Sequence, residues 1–389
     1  MHPTIASRWG RYRQRLAAGH AALGRPEDAL RHATAAVRHL QHGTDVSTEL
    51  AASYEIVANC RQELGQLEGA AAARRSAIGH LERAAPDATA STLALVKLGD
   101  LVRLQGHFEE AELILTRALR RATNNDADGG QPPLRALTLN ALGIVYKDTA
   151  RYDAADAAYR EALELITTTC GPDHAAAAPL WHNIAGLAHV RGQAAQAATA
   201  AGRAVRIRKN ALGPDHHLVA QDLAVHGAAL LEMGDTDEAE RLFERALAIF
   251  RARHPANQHD VAVNISNLAA CRLQRNDAAG AEALFRRGLA LKQAIFGCHH
   301  PEVARQLNNL AVAVAAQHRI NDTNDLHRRA LRIVRNALPA DHPLTRACLQ
   351  NLAIADSTSP PPPRRSTPAS TTRSSAKSSE PAADGPISV

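Results

Sequence analysis

One landmark recurs along this 389-residue chain at nearly constant separation: Gly24, Gly65, Gly106, Ala150, Gly192, Gly234, Asn276 and His318, in steps of 41, 41, 44, 42, 42, 42 and 42 residues. An apolar helical stretch precedes each landmark, and another carrying alanine at a fixed offset follows it. A unit of this length cannot bury its own apolar face, so it must stack on its neighbours. The period therefore dictates a solenoid, an array that offers long surfaces for binding.

The units read as helix pairs. In the clearest one, Leu139, Leu142, Gly143 and Tyr146 share a face of the first helix, Ala150-Arg151 makes the turn, and Tyr152, Ala155, Tyr159 and Ala162 mark the inner face of the second. Spacings of three and four residues put these side chains on one stripe. Two helices that cross closely need small residues at the crossing. The first-helix position reads Ala17, Ala58, Gly99, Gly143, Ala185, Gly227, Ala269 and Ala311. Its second-helix partner position reads Ala29, Ala70, Ala111, Ala155, Ala197, Ala239, Ala281 and Thr323, and a third reads Ala36, Ala77, Ala118, Ala162, Ala204, Ala246, Gly288 and Ala330.

This order of Leu, Leu-Gly, Tyr, Ala and an aromatic resembles the tetratricopeptide repeat. HEAT and armadillo arrays share the period, but the linked small positions favour the tetratricopeptide pattern; the shorter pentatricopeptide unit does not fit. The usual tetratricopeptide unit is about 34 residues. The excess here lies between units, at Gly171-Pro172-Asp173-His174, Gly213-Pro214-Asp215-His216, Gly297-Cys298-His299-His300-Pro301 and Asp341-His342-Pro343, where Gly can end one helix and Pro with Asp can start the next. In these longer units the chain resembles the kinesin light chain class, which is widespread in bacterial regulatory and scaffold proteins. The resemblance runs over residues 8–355 and is strongest from Leu134 onward.

It implies an all-α, right-handed α-solenoid of about eight helix pairs. The expected divisions are 1–124 as degenerate repeats, 125–133 as a flexible loop, 134–355 as kinesin light chain-like repeats ending in a capping helix from Leu344, and 356–389 as a disordered tail. The first two units carry Arg13 and His20, and the eighth Thr323 and His327, where packing residues belong. The tail is rich in Ser, Thr and Pro, includes Pro360 to Arg365, and cannot bury a core.

Composition narrows the function. Aromatics are only 3%, so packing relies on small and aliphatic side chains. The net charge of +6 includes four basic and two acidic residues in the tail, leaving a weak excess without a dense basic stripe; no nucleic acid is expected as partner. Five dispersed cysteines suit reduced thiols. The Arg-rich start lacks an apolar signal core, and no run approaches the ~18 apolar residues of a membrane helix, so the expected location is cytoplasmic, with no membrane partner.

Phosphate-binding, dinucleotide, zinc-protease and nucleophile-elbow motifs are absent, so no catalytic residue and no cofactor are assigned. Cys298, His299 and His300 form the densest metal-type group, but contiguous loop residues rarely converge on an ion, and no metal is expected. The sequence expectation is thus a non-enzymatic scaffold.

By resemblance, first helices line the concave groove and their asparagines hold a peptide backbone. Asn183, Asn267, Asn309 and, in the capping helix, Asn351 precede the small position, with Asn140 and Asn308 beside that register. Steps of 42 from Asn267 to Asn309 to Asn351 stack amides along one face; each offers donors and an acceptor to a peptide. The same amides can instead fix one repeat on the next. Lys147, Arg103 and Arg305 are candidates for acidic groups, and Trp181 for the core. The alternative function is a peptide-responsive sensor acting on a separate regulatory chain. The residues specify neither the partner nor the oligomeric state.

Overall fold

The computed structural model describes residues 3–43, 46–84, 89–122, 133–252, 258–338 and 342–358. All regular elements among them are helices, and they follow the chain as pairs. These are α1 (Pro3–Ala22) and α2 (Pro26–Leu40), α3 (Ser47–Glu63) and α4 (Leu67–Ala84), α5 (Thr89–Leu104) and α6 (Phe108–Ala122), α7 (Leu134–Asp148) and α8 (Tyr152–Cys170). Next come α9 (Ala177–Val190) and α10 (Ala194–Leu212), α11 (His217–Glu232) and α12 (Thr236–Ala252), α13 (Gln258–Gln274) and α14 (Ala278–Phe296), α15 (Pro301–Ala315) and α16 (Ile320–Ala337). The last helix, α17 (Pro343–Thr358), packs on α16 as the expected cap.

The chain forms two compact units, Met1–Arg191 and Gly192–Val389. Within each, every helix packs on the next, which makes an all-α solenoid. The loop expected at 125–133 lies outside the described residues except for Pro133, and α6 and α7 on its two sides pack together inside the first unit. The tail expected from 356 starts later than the sequence suggests, since α17 runs on to Thr358, and residues 359–389 lie outside the described ones.

Each landmark has one conformational role. All eight adopt positive φ, including the non-glycine residues Ala150 (58°), Asn276 (60°) and His318 (59°). The chain reverses there through a left-handed helix end, and the next amide reaches back over the last turn. Arg151 N–H donates to Tyr146 O at 2.8 Å and Asp235 N–H to Leu230 O at 2.9 Å. Glycine adopts this conformation without penalty, whereas an L side chain costs about 1–2 kcal/mol.

The small positions face the crossings. Ala155 and Ala239 are fully buried, as are the other alanines at those three positions. The structure adds a size rule absent from the sequence reading. A Cβ built on Gly143 would lie 2.4 Å from Tyr159 Cε1, one on Gly99 2.5 Å from Leu115 Cγ, and one on Gly227 2.9 Å from Phe243 Cε1. At these three crossings glycine leaves room for a large side chain of the second helix, although the repeat with Phe285 in that register carries Ala269.

The long connections end in a histidine that caps the following helix. Nδ1 of His216 accepts from Leu218 N–H at 3.3 Å, His300 from Glu302 N–H at 3.2 Å, and His342 from Leu344 N–H at 3.1 Å. The imidazole satisfies a first-turn amide that has no partner inside the helix, and in α15 and α17 the expected proline follows it as the first helical residue, Pro301 and Pro343.

Charge is also sealed between consecutive helices. Arg208 of α10 donates to Asp222 of α11 at 2.7 Å with both residues buried, and Lys292 of α14 meets Glu302 of α15 at 3.0 Å. Arg208 and Lys292 occupy the register filled by Phe250 and Val334 in α12 and α16. In the first unit Arg74, 1% exposed, is held by Glu55 at 2.6 Å and Asn59 at 3.0 Å.

Candidate functional site

First helices meet directly across successive pairs, at α1–α3, α5–α7, α7–α9 and α11–α13, while second helices among the described residues do not make comparable contact. In both units the first-helix side is therefore the one on which consecutive repeats converge. The sequence-predicted asparagines all lie on these helices.

Two of their pairings are direct. Asn183 Nδ2 donates to Asn140 Oδ1 at 2.8 Å between α9 and α7, and Asn351 Nδ2 donates to Asn308 Oδ1 at 2.9 Å between α17 and α15. Each pair spans 43 residues. The contacts thus run diagonally, from one register to the next, rather than along the 42-residue row. Each rung uses one N–H and one carbonyl oxygen, so Asn140 and Asn183 keep an amide donor and an acceptor, and both are only half-buried.

Asn267 and Asn309 are buried, and Ser266 beside them lies 2.8 Å from Gln306 Oε1, whose amide donates to Phe285 O at 3.0 Å. Asn267 has no side-chain hydrogen bond among the described residues, because the preceding repeat offers Ala224 where Asn140 stands for Asn183. Its amide is buried, with 4% of the residue exposed. The rungs pair one repeat with the next, the role the sequence left open beside peptide binding.

The cationic candidates divide. Arg103 is already engaged, donating to Asp100 at 2.9 Å and Asp148 at 2.9 Å. Arg305 lies 3.3 Å from Glu302. Lys147 makes no ion pair among the described residues, and its Nζ lies 3.9 Å from where a Cβ on Gly186 would be, one turn beyond the Asn140–Asn183 rung. Trp181 is half-buried on α9.

Exposed apolar side chains on the same helices were missed by the sequence reading. Leu104, Leu137 and Val190 are 46%, 38% and 51% exposed, near the ends of α5, α7 and α9. The legible signal was apolar residues recurring beside a polar register on α5, α7 and α9, a pattern that hydrophobic periodicity alone assigns to the core.

Among the described residues, no three His, Cys, Asp or Glu side chains are grouped to hold a metal ion, and His300 is spent as a cap. Burial pushes the Cys271 thiol up to about 12 and Cys348 up to about 11, so neither forms a nucleophilic thiolate near neutrality. No described helix is long and apolar enough to cross a membrane.

Models of the tetratricopeptide repeat match residues 135–176, 176–252 and 260–336, which together span half the chain. The chain belongs to the tetratricopeptide-repeat family. A search of curated proteins finds no match. Among solved structures, BtubC (BKLC) from P. vanneervenii is 24% identical, with 60% of this chain and 94% of that chain covered at a TM-score of 0.52. The apo form of RapI is 13% identical, with 73% and 97% covered at 0.58. A signal transduction ATPase with a tetratricopeptide repeat sensor, PH0952 from Pyrococcus horikoshii, is 14% identical, with 84% and 49% covered at 0.56. These likenesses are of fold, and all are to tetratricopeptide or related helical arrays.

Proposed function

We propose that this tetratricopeptide protein is a non-enzymatic scaffold that holds an extended segment of a protein partner along its first helices. The observation that carries this reading is the Asn140–Asn183 rung on the converging side of the first unit's repeats, half-buried and with spare donors and acceptors. An amide pairs with a peptide main chain whatever its side chains, and the exposed Leu104, Leu137 and Val190 add apolar contacts to it. Lys147 supplies a positive charge for an acidic side chain or a chain terminus. Each hydrogen bond contributes about 0.5–1.5 kcal/mol net, so affinity is a sum over several repeats.

The partner is first identified by pull-down and mass spectrometry, and its bound segment is made as a labelled peptide. Converting Asn267 and Asn309 to Ala, and separately Asn140 and Asn183 to Ala, should weaken capture while circular dichroism keeps its helical signal. Capture that is unchanged in both variants removes the groove assignment. Scattering with and without the peptide separates a passive scaffold, whose radius stays constant, from a sensor, whose radius changes.

A further inference from the structure

The crossing of α1 and α2 is filled with polar groups where later repeats use apolar ones. In the third repeat Leu95, Val102 and Ile114 stand 11 before, 4 before and 8 after the landmark, and they share one apolar cluster. Leu223, Leu230 and Leu242 do the same in the sixth, and Leu307, Val314 and Leu326 in the eighth. The first repeat carries Arg13, His20 and His32 at these places, all half-buried. The small alanines of the same pair, Ala17, Ala29, Ala33 and Ala36, are fully buried, so the two helices still cross closely.

Arg13 Nη1 lies 3.0 Å from His32 Nδ1. A guanidinium has donors and no acceptor, so Nδ1 must accept, and His32 is the neutral tautomer with its proton on Nε2. The His20 ring stacks on the His32 ring, with centroids 5.1 Å apart and planes at 9°. Arg13 Nε and His20 Nδ1 are buried without hydrogen-bond partners among the described residues. Little negative charge reaches this group. Asp28 Oδ2 stands 3.8 Å from His20 Nδ1, and Arg31 already holds the other oxygen of that carboxylate, with Arg25 also acting on it. On α3, which packs on both helices, Glu49, Glu55 and Arg61 are engaged with Arg11, Arg74 and Gly69 O, and Glu63 is exposed. Desolvation, then the charges of Arg13, His20 and Arg31, hold the His32 imidazole below its ordinary value. Its neutral form therefore supports folding above the unfolded value of about 6.5, and that support is lost as pH falls toward the lowered folded value.

We propose that the α1–α2 crossing is an acid-sensitive joint: a proton on His32 Nδ1 removes the acceptor from Arg13, sets like charges together, and opens this pair while the pairs that follow stay closed. Opening uncovers Tyr54, Val57 and Ala58 of α3, which share an apolar cluster with Ala17, Leu30 and Ala33 of the closed pair. Mild acid thus changes the surface that this part of the array presents. The joint is separate from the Asn140–Asn183 rung on α7 and α9.

The test follows hydrogen exchange in the full chain by mass spectrometry at about pH 7.5 and about pH 5.5, on either side of the ordinary histidine value. Wild type is compared at each pH with His32→Gln, whose amide oxygen accepts from Arg13 without titrating, so the intrinsic pH dependence of exchange cancels. One proton taken up on opening changes the opened fraction by up to ~10-fold per pH unit, so the wild-type to variant exchange ratio in α1 and α2 peptides should rise about 5-fold or more in acid. Peptides from α7 and α8, which hold no histidine, should keep an unchanged ratio. Arg13→Leu with His20→Val and His32→Ile installs the side chains of the third repeat. This triple variant should show no acid rise in α1 and α2 relative to α7 and α8, with circular dichroism checking that it folds. A wild-type ratio that is the same at both pH values, a rise of equal size in α7 and α8, or an acid rise that persists in the triple variant would each overturn the proposal.

Discussion

Gly143 and Tyr159 offer the sharpest test of how these repeats are held together. An alanine methyl at 143 would sit 2.4 Å from Tyr159 Cε1 and 2.6 Å from Cδ1, well inside contact distance, and the ring is fully buried, so it cannot swing into solvent. Overpacking of this kind costs about 1–3 kcal/mol. On helix propensity alone the same change would gain roughly 0.5–1 kcal/mol, so the crossing predicts a sign opposite to the local rule. Truncating Tyr159 to Ala removes the ring and costs about 3–5 kcal/mol as a cavity. In that background Gly143→Ala loses its clash and partly fills the void, so it should now stabilise. Urea unfolding followed by circular dichroism for wild type, both single variants and the double variant closes the cycle. For a unit of this size, each kcal/mol corresponds to roughly 2–4 °C in Tm. A Gly143→Ala protein as stable as wild type, or a destabilisation of equal size in both backgrounds, would refute the size-matching argument.

Other outcomes follow from particular side chains. The Tyr159 hydroxyl is buried without a hydrogen bond among the described residues, and Phe243 and Phe285 fill the same register in later repeats, so Tyr159→Phe should raise stability by about 1 kcal/mol in urea titrations. Burial holds the His327 imidazole below the ordinary histidine value; its neutral form supports folding above the unfolded value of about 6.5, and that support is lost as pH falls toward the lowered folded value. The decline of Tm in mild acid should therefore be smaller in His327→Phe than in wild type. Asp222→Ala leaves Arg208 charged and unpaired in the interior and should cost about 3–5 kcal/mol, whereas the paired replacement of both by apolar residues should cost far less in the same thermal scan. Ala150→Gly relieves a left-handed backbone and should add about 1 kcal/mol, read as a higher urea midpoint.

Much of the fold was legible because a repeat states its rule eight times. The landmarks, the linked small positions and the capping helix are local demands of helix ends and close crossings, and one unit confirms another. The amide positions could be read as well, but not their use. A 42-residue row suggested stacking in register, whereas Asn140 bonds to Asn183 and Asn308 to Asn351 along the diagonal. Histidine caps were hidden because a loop histidine satisfies a first-turn amide only once the chain has turned.

By itself, the order of residues determined that helices would form in pairs, where they would reverse, and which faces would be small. Only the tertiary structure decided which large side chain fills each glycine and which charges are sealed between neighbours. The physical reason is range. Helix and turn preferences act over a few residues, but burial, pairing and exposure depend on side chains brought together from different repeats.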